Sequence, residues 1–338
     1  MEIKTDELKN VLNTLFAYVS KKNNIVSDVF SKFIFDNDKI FIVNEEYAFE
    51  IPFDIDLSAV LGVDEMIKII NGISAEKINM KIKDDFLLIK SGNTKAKIIC
   101  NEVKEENKKF IDVNYKWKKV PDNFNMGVGL CIFSAAKDDY MYVYNNIHIH
   151  DNMITSTDNL RISKFLLEEK MDEFLLPLIS AKFLCKHKTK KYFLEKNMVH
   201  FKNDDGTIFH SRIVSGDFPD INQFFILDKK NIFYTFPDDI KNTIKLVSTL
   251  AEGEFDVDKR IEIKIQNNSM KCKAKNTKGW IESDIKLDIG IDFEFKINPV
   301  FLLDILNLSM KFTIIDDRFI FISDNFFHSF MVDLMEGK

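Results

Sequence analysis

The chain has 338 residues, of which 46% are hydrophobic and 30% are charged, and its formal net charge at pH 7 is −6. This length and composition are typical of two or three globular domains, each with its own core. The acidic balance argues against a chain whose whole outer surface binds nucleic acid, although it does not exclude a local basic face.

Cysteine usage and the N-terminal segment indicate the compartment. The four cysteines are scattered without a C-x-x-C spacing, which predicts reduced thiols rather than disulfides or a zinc site. The first ten residues are charged, and no apolar run approaches the ~18–20 residues of a membrane span. We therefore expect a cytoplasmic protein without a membrane segment.

In chain order, one arrangement of elements occurs three times. Each copy begins with an amphipathic helix that carries Thr or Asp near an N-cap position. These helices are predicted at 5–22, 121–139 and 237–253. Each is followed by a predicted hairpin of alternating polar and apolar residues, at 30–43, 141–157 and 260–275.

A second helix follows in each copy and starts 58, 57 and 60 residues after the first. These second helices are predicted at 63–73, 178–188 and 297–308, and strand–turn–strand runs follow them at 77–100, 191–214 and 310–332. A repeated unit of two helices and antiparallel strands predicts an α+β class. The three predicted domains are 1–117, 118–230 and 231–338.

Several segments resemble the bacterial DNA sliding clamp, the beta subunit of the replicative polymerase. The stretch STDNLRIS at 156–163 stands where that family has Thr-Asp-Gly-His-Arg-Leu, with Asn159 and Leu160 in place of Gly-His. The stretch SRIVSGDFPDINQFFIL at 211–227 retains the family's Phe-Pro-Asp. The stretch at 293–309 resembles the family's asparagine and helix before the last strands. The resemblance covers essentially the whole chain, and a divergent, phage-encoded member would have these features.

The resemblance implies a function without catalysis and without a cofactor. Two subunits would join head to tail into a closed ring around duplex DNA, with the helices lining the hole and the sheets outside. The ring would act as a processivity factor, binding DNA independently of sequence. The replicative polymerase and the clamp loader would bind it through short linear peptides.

The resemblance also implies a shallow apolar groove that takes these peptides. Its residues would be Tyr144, Thr157, Asn159, Leu160, Arg161, Ile162, Pro219, Gln223, Phe224, Phe330, Val332, Asp333 and Leu334. Arg161 would buttress or rim the groove, and the alternative is a buried ion pair with Asp158 or another acid. Because Asp333 replaces an imino acid of the family, we expect the preferred peptide to carry a basic residue.

Lysines recur on the predicted helices, where a sliding ring needs mobile point charges rather than groups that read bases. The predicted DNA-facing set is Lys9, Lys21, Lys22, Lys68, Lys137, Lys182, Lys186, Lys241 and Lys245. For each of them a solvated helix face is the alternative. The resemblance places the dimer interface at an edge strand and at a helix end, with residues Ala96, Ile98, Leu246 and Leu250.

Two other function classes stay open at this point. A β-rich binding module that does not encircle DNA would not need three equal units with lysine-bearing helix pairs. A hydrolase or nuclease would need clustered acids or a nucleotide-binding loop, and the chain has 11 glycines and no G-x-S-x-G or H-E-x-x-H motif. His148 and His150 share a strand face and could supply two metal ligands, but no third ligand lies at a recognisable spacing.

Overall fold

The structure is a computed structural model that describes residues 1–19, 32–44, 46–108, 113–137, 142–228, 230–253, 255, 257–287, 289–290 and 292–335. They form two compact units. Unit 1 contains Met1–Val120 and His187–Ile213, and unit 2 contains Pro121–Lys186 and Val214–Lys338. The second predicted domain contributes residues to both units, and the three domain boundaries stay a prediction.

Unit 1 contains a helix pair and a four-stranded antiparallel sheet. The helices α1 (Thr5–Val19) and α2 (Val63–Gly72) pack together, and the side-chain amides of Asn13 and Asn71 exchange two hydrogen bonds of 3.0 Å. The sheet has the order β1-β6-β7-β8. Its strands are β1 (Glu2–Lys4), β6 (Lys77–Lys83), β7 (Phe86–Ser91) and β8 (Thr94–Ile99). Strand β8 is therefore an edge strand.

The second sheet of unit 1 has eight strands in the order β5-β2-β3-β4-β14-β13-β12-β9. They are β2 (Lys32–Asp36), β3 (Lys39–Val43), β4 (Tyr47–Pro52), β5 (Ser58–Gly62), β9 (Lys118–Lys119), β12 (Thr189–Leu194), β13 (Met198–Asn203) and β14 (Ile208–Arg212), and the short helix α3 (Glu105–Lys108) precedes β9. Phe49 on β4 pairs with Phe209 on β14, and their rings stack with centroids 4.9 Å apart. This contact joins strands of the first and second repeats in one sheet.

Unit 2 contains a six-stranded sheet with the order β10-β11-β22-β21-β20-β15. Its strands are β10 (Asn146–Thr157), β11 (Arg161–Pro177), β15 (Tyr234–Thr235), β20 (Lys311–Ile315), β21 (Arg318–Ser323) and β22 (Phe326–Met331). Helix α4 (Phe124–Cys131) continues into a 3-10 turn at Ile132–Ser134, and α5 (Leu178–Leu184) follows β11. Strands of the second and third repeats thus share this sheet through the β11–β22 pairing.

The rest of unit 2 is a helix pair and a five-stranded sheet with the order β18-β17-β16-β19-β23. Its elements are α6 (Ile240–Ser248), β16 (Ile261–Gln266), β17 (Ser269–Asn276), β18 (Gly279–Lys286), β19 (Phe293–Ile297), α7 (Pro299–Leu306) and β23 (Asp333–Leu334). The side chain of Asn298 caps α7, because its Oδ1 accepts from the backbone N–H groups of Val300 and Phe301. Strand β18 is the free edge opposite β23.

The six predicted helices are present, and the five that follow α1 are shorter than the sequence pattern suggested. Residues 20–22 of the first predicted helix lie outside the described residues. Helix α4 ends at Cys131 instead of continuing to 139 because the chain tightens into a 3-10 turn. The predicted hairpin at 141–157 is wrong. Residues 146–157 form one strand with a bulge at Asp151, whose φ is +48°, and their partner is β11. Within the described residues, no helix is long and apolar enough to cross a membrane.

Candidate functional site

The stretch Thr157–Arg161 is a tight turn between β10 and β11 that is held by its own side chains. The Thr157 hydroxyl donates to the Arg161 carbonyl at 2.9 Å, and Asp158 Oδ1 accepts from the backbone N–H groups of Leu160 and Arg161. Asn159 has a φ of +70°. Asn tolerates this left-handed conformation better than most residues with a Cβ, which explains how it replaces the family's glycine.

Arg161 is 5% exposed and has a carboxylate on each side. Its Nε donates to Asp158 Oδ2 at 3.0 Å, and its NH1 donates to Asp304 Oδ2 at 2.7 Å. The guanidinium carbon lies 4.4 Å from the ring centroid of Phe301 and 5.2 Å from that of Phe133. The buried ion pair with Asp158 is therefore confirmed. Sequence reasoning missed Asp304, which no local spacing connects to Arg161.

A second buried polar group lies beside Arg161 on the same face of β11. Ser163 Oγ is 2.9 Å from His328 Nδ1 on β22 and 2.5 Å from Ser134 Oγ. Burial, and then the Arg161 charge, hold the pKa of His328 well below its usual value, so the ring is neutral. All three side chains are fully enclosed. They therefore stabilise the β11–β22 pairing and are not positioned to attack a substrate.

The other face of the six-stranded sheet is apolar. Strand alternation places Ile162 on the face opposite Arg161 and Ser163. There it joins a cluster around buried Ile221, Phe225 and Ile320. The half-buried members of this cluster are Ile162, Phe218, Phe224, Leu227, Ile315, Ile322 and Phe327. We call these ten residues the apolar face. The 3-10 turn Asn222–Phe225 covers part of it.

Of the predicted groove residues, Ile162 and Phe224 belong to the apolar face, and Leu160 lies in the turn two residues before Ile162. Leu160 is 48% exposed at the turn. Pro219 and Gln223 are exposed next to Phe218 and Phe224 in the chain. Tyr144 packs edge-on against Phe218, with ring centroids 6.4 Å apart. The structure therefore brings together residues from three separated segments.

Other predicted groove residues have different positions. Phe330 is 3% exposed, pairs with Arg161 across β11–β22, and packs against Phe319 and Phe321 on the buried face of the sheet. Val332 is 5% exposed. These two residues are core residues rather than groove walls, because a strand sends alternate side chains to opposite faces. Leu334 is 50% exposed and lies on β23.

Asp333, the predicted groove acid, takes part in an exposed ion pair. Its carboxylate accepts from Arg260 Nε at 3.2 Å, and the Arg260 NH1 group donates to the Val257 carbonyl. Asp333 therefore has a cationic partner within the chain, although its side chain is 69% exposed. The basic residue expected in the peptide stays a prediction.

The predicted DNA-facing lysines are of three kinds. Lys21 and Lys22 lie outside the described residues. Lys9 and Lys241 are half-buried. Of these, Lys9 caps the end of α2, because its Nζ donates to the Ile73 carbonyl at 2.5 Å. Five of the set are exposed, namely Lys68, Lys137, Lys182, Lys186 and Lys245.

The predicted dimer-interface residues lie on two exposed elements. Ala96 is half-buried and Ile98 is 8% exposed on the edge strand β8. Leu246 is 53% exposed on α6, and Leu250 just beyond it is half-buried. Ile98 therefore contributes to the core of unit 1, so replacing it would test folding as well as association.

His148 and His150 stack with ring centroids 4.2 Å apart, and His148 Nε2 lies 3.0 Å from Glu173 Oε1. Across the described ranges, no group of three His, Cys, Asp or Glu side chains could hold a metal ion. Burial lowers the pKa of both histidines. The pair thus packs beneath Phe218, with the rings of His148 and Phe218 4.8 Å apart.

Comparisons with known proteins find bacterial sliding clamps among the similar sequences and the similar structures. No protein-family model matches the chain. A beta sliding clamp of Buchnera aphidicola is 27% identical over 191 residues, which cover 52% of this chain and 51% of the relative. A beta sliding clamp of Rickettsia bellii is 23% identical over 207 residues and 52% of each chain. The matched region thus spans about half the length of these curated relatives.

Solved structures match over nearly the whole chain. The DNA polymerase III beta chain of Streptococcus pneumoniae has a TM-score of 0.82 with 17% identity, covering 99% of both chains. The sliding clamp of Bartonella birtlesii, solved bound to griselimycin, has a TM-score of 0.81 with 15% identity, again over 99% of both chains. This chain has the sliding-clamp fold.

Proposed function

We propose that this chain, a divergent relative of the bacterial beta sliding clamps, is a DNA polymerase processivity factor. The observation that supports this most is the fold likeness over 99% of both chains, together with the sequence likeness over half of the chain. The protein would encircle duplex DNA in the cytoplasm and hold a polymerase on it. It would have no catalytic step and no cofactor, because the tether is topological.

Ring closure would use two of the edge strands, β8 of one subunit and β18 of the next. An unpaired edge strand presents N–H and C=O groups that a second strand can bind, and head-to-tail contacts that close make a ring. The exposed charges are partly complementary, since β8 carries Lys95 and Lys97 and β18 carries Glu282 and Asp284 beside Lys286. Of the two acids, Glu282 already has an intrachain partner, Lys271 at 2.9 Å. Leu246 of α6, which contacts β18, would add an apolar contact.

The test of closure is the mass in solution. Ala96→Glu combined with Leu246→Glu places like charges on both proposed surfaces without entering the core. We expect the wild type to sediment as a dimer and the double variant as a monomer. Ile226→Glu is the matched control, because Ile226 is 73% exposed and lies outside the proposed interface. A monomeric wild type, or a dimeric double variant, would contradict this interface.

The DNA-facing surface would be the exposed lysines of the helices. Each phosphate contact releases counterions, so log K falls with log salt by about 0.9 per contact. Replacing Lys68, Lys182 and Lys245 by Glu should therefore flatten the salt dependence of duplex binding. The control replaces three exposed sheet lysines, Lys90, Lys170 and Lys275, by Glu. An equal effect of both triple variants would indicate unspecific charge rather than a lysine-lined hole.

The apolar face and Leu160 would form the peptide groove for the polymerase and the loader. Apolar side chains of a bound peptide would sit on Ile162 and Phe224, because each Å² of apolar surface removed from water contributes about 25 cal/mol. Leu160→Asp should abolish stimulation of a polymerase while leaving dimerisation intact, and Ile226→Asp should change neither. If Leu160→Asp still supports processive synthesis at the wild-type level, the groove lies elsewhere.

A further inference from the structure

Lys164 is the cationic group of the apolar face. It lies on β11 two residues after Ile162, so both side chains project from the same face of the sheet. Its Nζ is 4.6 Å from the ring centroid of Phe225 and 5.2 Å from that of Phe327. These two rings are themselves 6.3 Å apart in an edge-on arrangement. The ammonium group is thus held against aromatic rings at the edge of the proposed groove.

The charge of Lys164 is not neutralised by the part of the chain that the structure describes. There, no carboxylate oxygen lies within 4.0 Å of its Nζ, although other lysines of the same unit have such partners. The side chain is half-buried, and burial lowers its pKa. Cation–π contacts compensate only part of the lost hydration. A carboxylate arriving with a ligand would therefore find a partly desolvated cation without an anionic partner.

The neighbouring charges do not compete for this role. Arg318 lies over Phe224 at 5.9 Å but has Asp316 3.9 Å away. Asp333, the acid predicted to attract a basic peptide, is paired with Arg260. Lys164 on β11 pairs with Phe327 on β22, and Phe327 pairs with Ile322 on β21. Arg318 therefore lies four residues along β21 from Ile322, the position level with Lys164. At about 3.3 Å per residue this is about 13 Å.

We infer that Lys164 is an anion-recognition point of the groove, and that it selects partner peptides with an acidic side chain next to their apolar anchors. This inference rests on the proposed function, because it names the chemistry of the peptide that the groove would take. The cation lies against buried Phe225 and half-buried Phe327, so an aliphatic or aromatic anchor can cover Phe327 while a neighbouring carboxylate reaches Nζ. Charge-assisted hydrogen bonds of this kind are stronger than neutral ones.

The test uses three fluorescein-labelled peptides that differ only in the two residues flanking the anchors. They are Gly-Glu-Leu-Gly-Phe-Glu-Gly, which has one aliphatic and one aromatic anchor, its Gln twin and its Lys twin. We expect the Glu peptide to bind the full-length protein at least about fivefold more tightly than the Gln peptide, and the Lys peptide to bind most weakly. The Glu advantage should shrink as salt is raised, because the site is partly exposed.

Lys164→Met removes the charge but keeps an unbranched stem on the two rings. In this variant the Glu and Gln peptides should bind equally. Lys170→Met is the matched control, because Lys170 lies on the same strand, is exposed and is paired with Asp151 at 3.2 Å. It should keep the full preference for Glu.

The outcomes separate the two claims. Equal binding of the Glu and Gln peptides to the wild type contradicts the role of Lys164 and leaves the groove standing. A Glu preference that survives Lys164→Met also contradicts it. Failure of all three peptides to bind contradicts both the groove and this inference, whereas a Glu preference that only Lys164→Met removes supports both.

Discussion

Arg161 and Asp304 form an ion pair of 2.7 Å although they are 143 residues apart in the sequence. Arg161 is the first residue of β11 in the second repeat, and Asp304 lies on α7 of the third. Because the second carboxylate, Asp158, belongs to the same turn as Arg161, the guanidinium connects that turn to α7. The position of Leu160, which this turn presents to solvent, therefore depends on a contact with another repeat.

Removing the Arg161 charge should destabilise unit 2. Arg161→Met leaves two carboxylates near the rings of Phe133 and Phe301 without their cation. Because these carboxylates are 17% and 40% exposed, we expect a cost below the roughly 3–5 kcal/mol of a fully buried pair. Asp304→Asn should cost less, because the Asp304 side chain is 40% exposed and exposed pairs contribute only about 1 kcal/mol or less. Urea unfolding measures both. Equal stability of Arg161→Met and the wild type would contradict the buried-pair assignment.

Unit 1 should lose stability in mild acid because of two buried histidines. His200 Nδ1 and His210 Nδ1 are 2.8 Å apart. Burial lowers the pKa of His200 to about 4 and holds the pKa of His210 well below its usual value. Below about pH 6.5 the unfolded chain binds protons that the folded chain excludes, so the free energy of unfolding falls as pH falls.

The slope for each histidine is about 1.4 kcal/mol per pH unit in this window. We expect urea midpoints to fall steeply between pH 6.5 and pH 4.5, and a His200→Leu, His210→Leu variant to show a shallower fall. For each protein, the fall is measured from its own urea midpoint at pH 8, where both histidines of the wild type are neutral. An unchanged slope in the variant would show that other groups titrate.

Gly127 should tolerate no side chain. A Cβ there would lie 2.4 Å from Phe165 Cδ1 and 2.9 Å from Ile154 Cδ1, because α4 packs closely on β10 and β11. Gly127→Ala should therefore destabilise unit 2 by roughly 1–3 kcal/mol through overpacking. Gly129→Ala is the control, since a Cβ there meets only Cys185 Cβ at 3.6 Å. Equal midpoints for the two variants would contradict this packing.

Asn159 should accept glycine but not a branched residue. Its φ of +70° is left-handed, which costs most residues with a Cβ roughly 1–2 kcal/mol. Asn159→Gly should leave the free energy of unfolding almost unchanged, whereas Asn159→Val should lower it and loosen the turn beside Leu160. A Val variant as stable as the wild type would show that the turn is not constrained.

The sequence predicted much of this fold because helical periodicity and strand alternation are local signals. The six helices and most strand pairs follow from them, as in the β16–β17 hairpin, where Asn267 and Asn268 have φ values of +52° and +60°. The predicted caps contributed less, since α2, α4, α5 and α6 have no side-chain cap and Asn298 caps α7. Alternation could not show that residues 146–157 pair with β11 instead of folding back, since a bulge at Asp151 resembles a turn in sequence.

The candidate site was predicted in outline only. The segments around 160, 219 and 331 could be grouped by resemblance, but which face each side chain uses depends on strand register. One residue of register separates Phe330, which is buried, from Met331, which is 62% exposed. Asp304 and Lys164 acquire their roles only from contacts distant in sequence.

Topological retention on DNA tests the central claim most directly. The protein would be diluted to dissociate dimers, mixed with a nicked circular plasmid, and concentrated so that dimers close around the DNA. The mixture would then be filtered at 0.5 M salt, where purely electrostatic binding is largely screened (Debye length about 4 Å). The account predicts that protein co-elutes with the circular plasmid and is released when a single cut makes it linear. Release from both forms, or retention on both, would contradict a ring that encircles DNA.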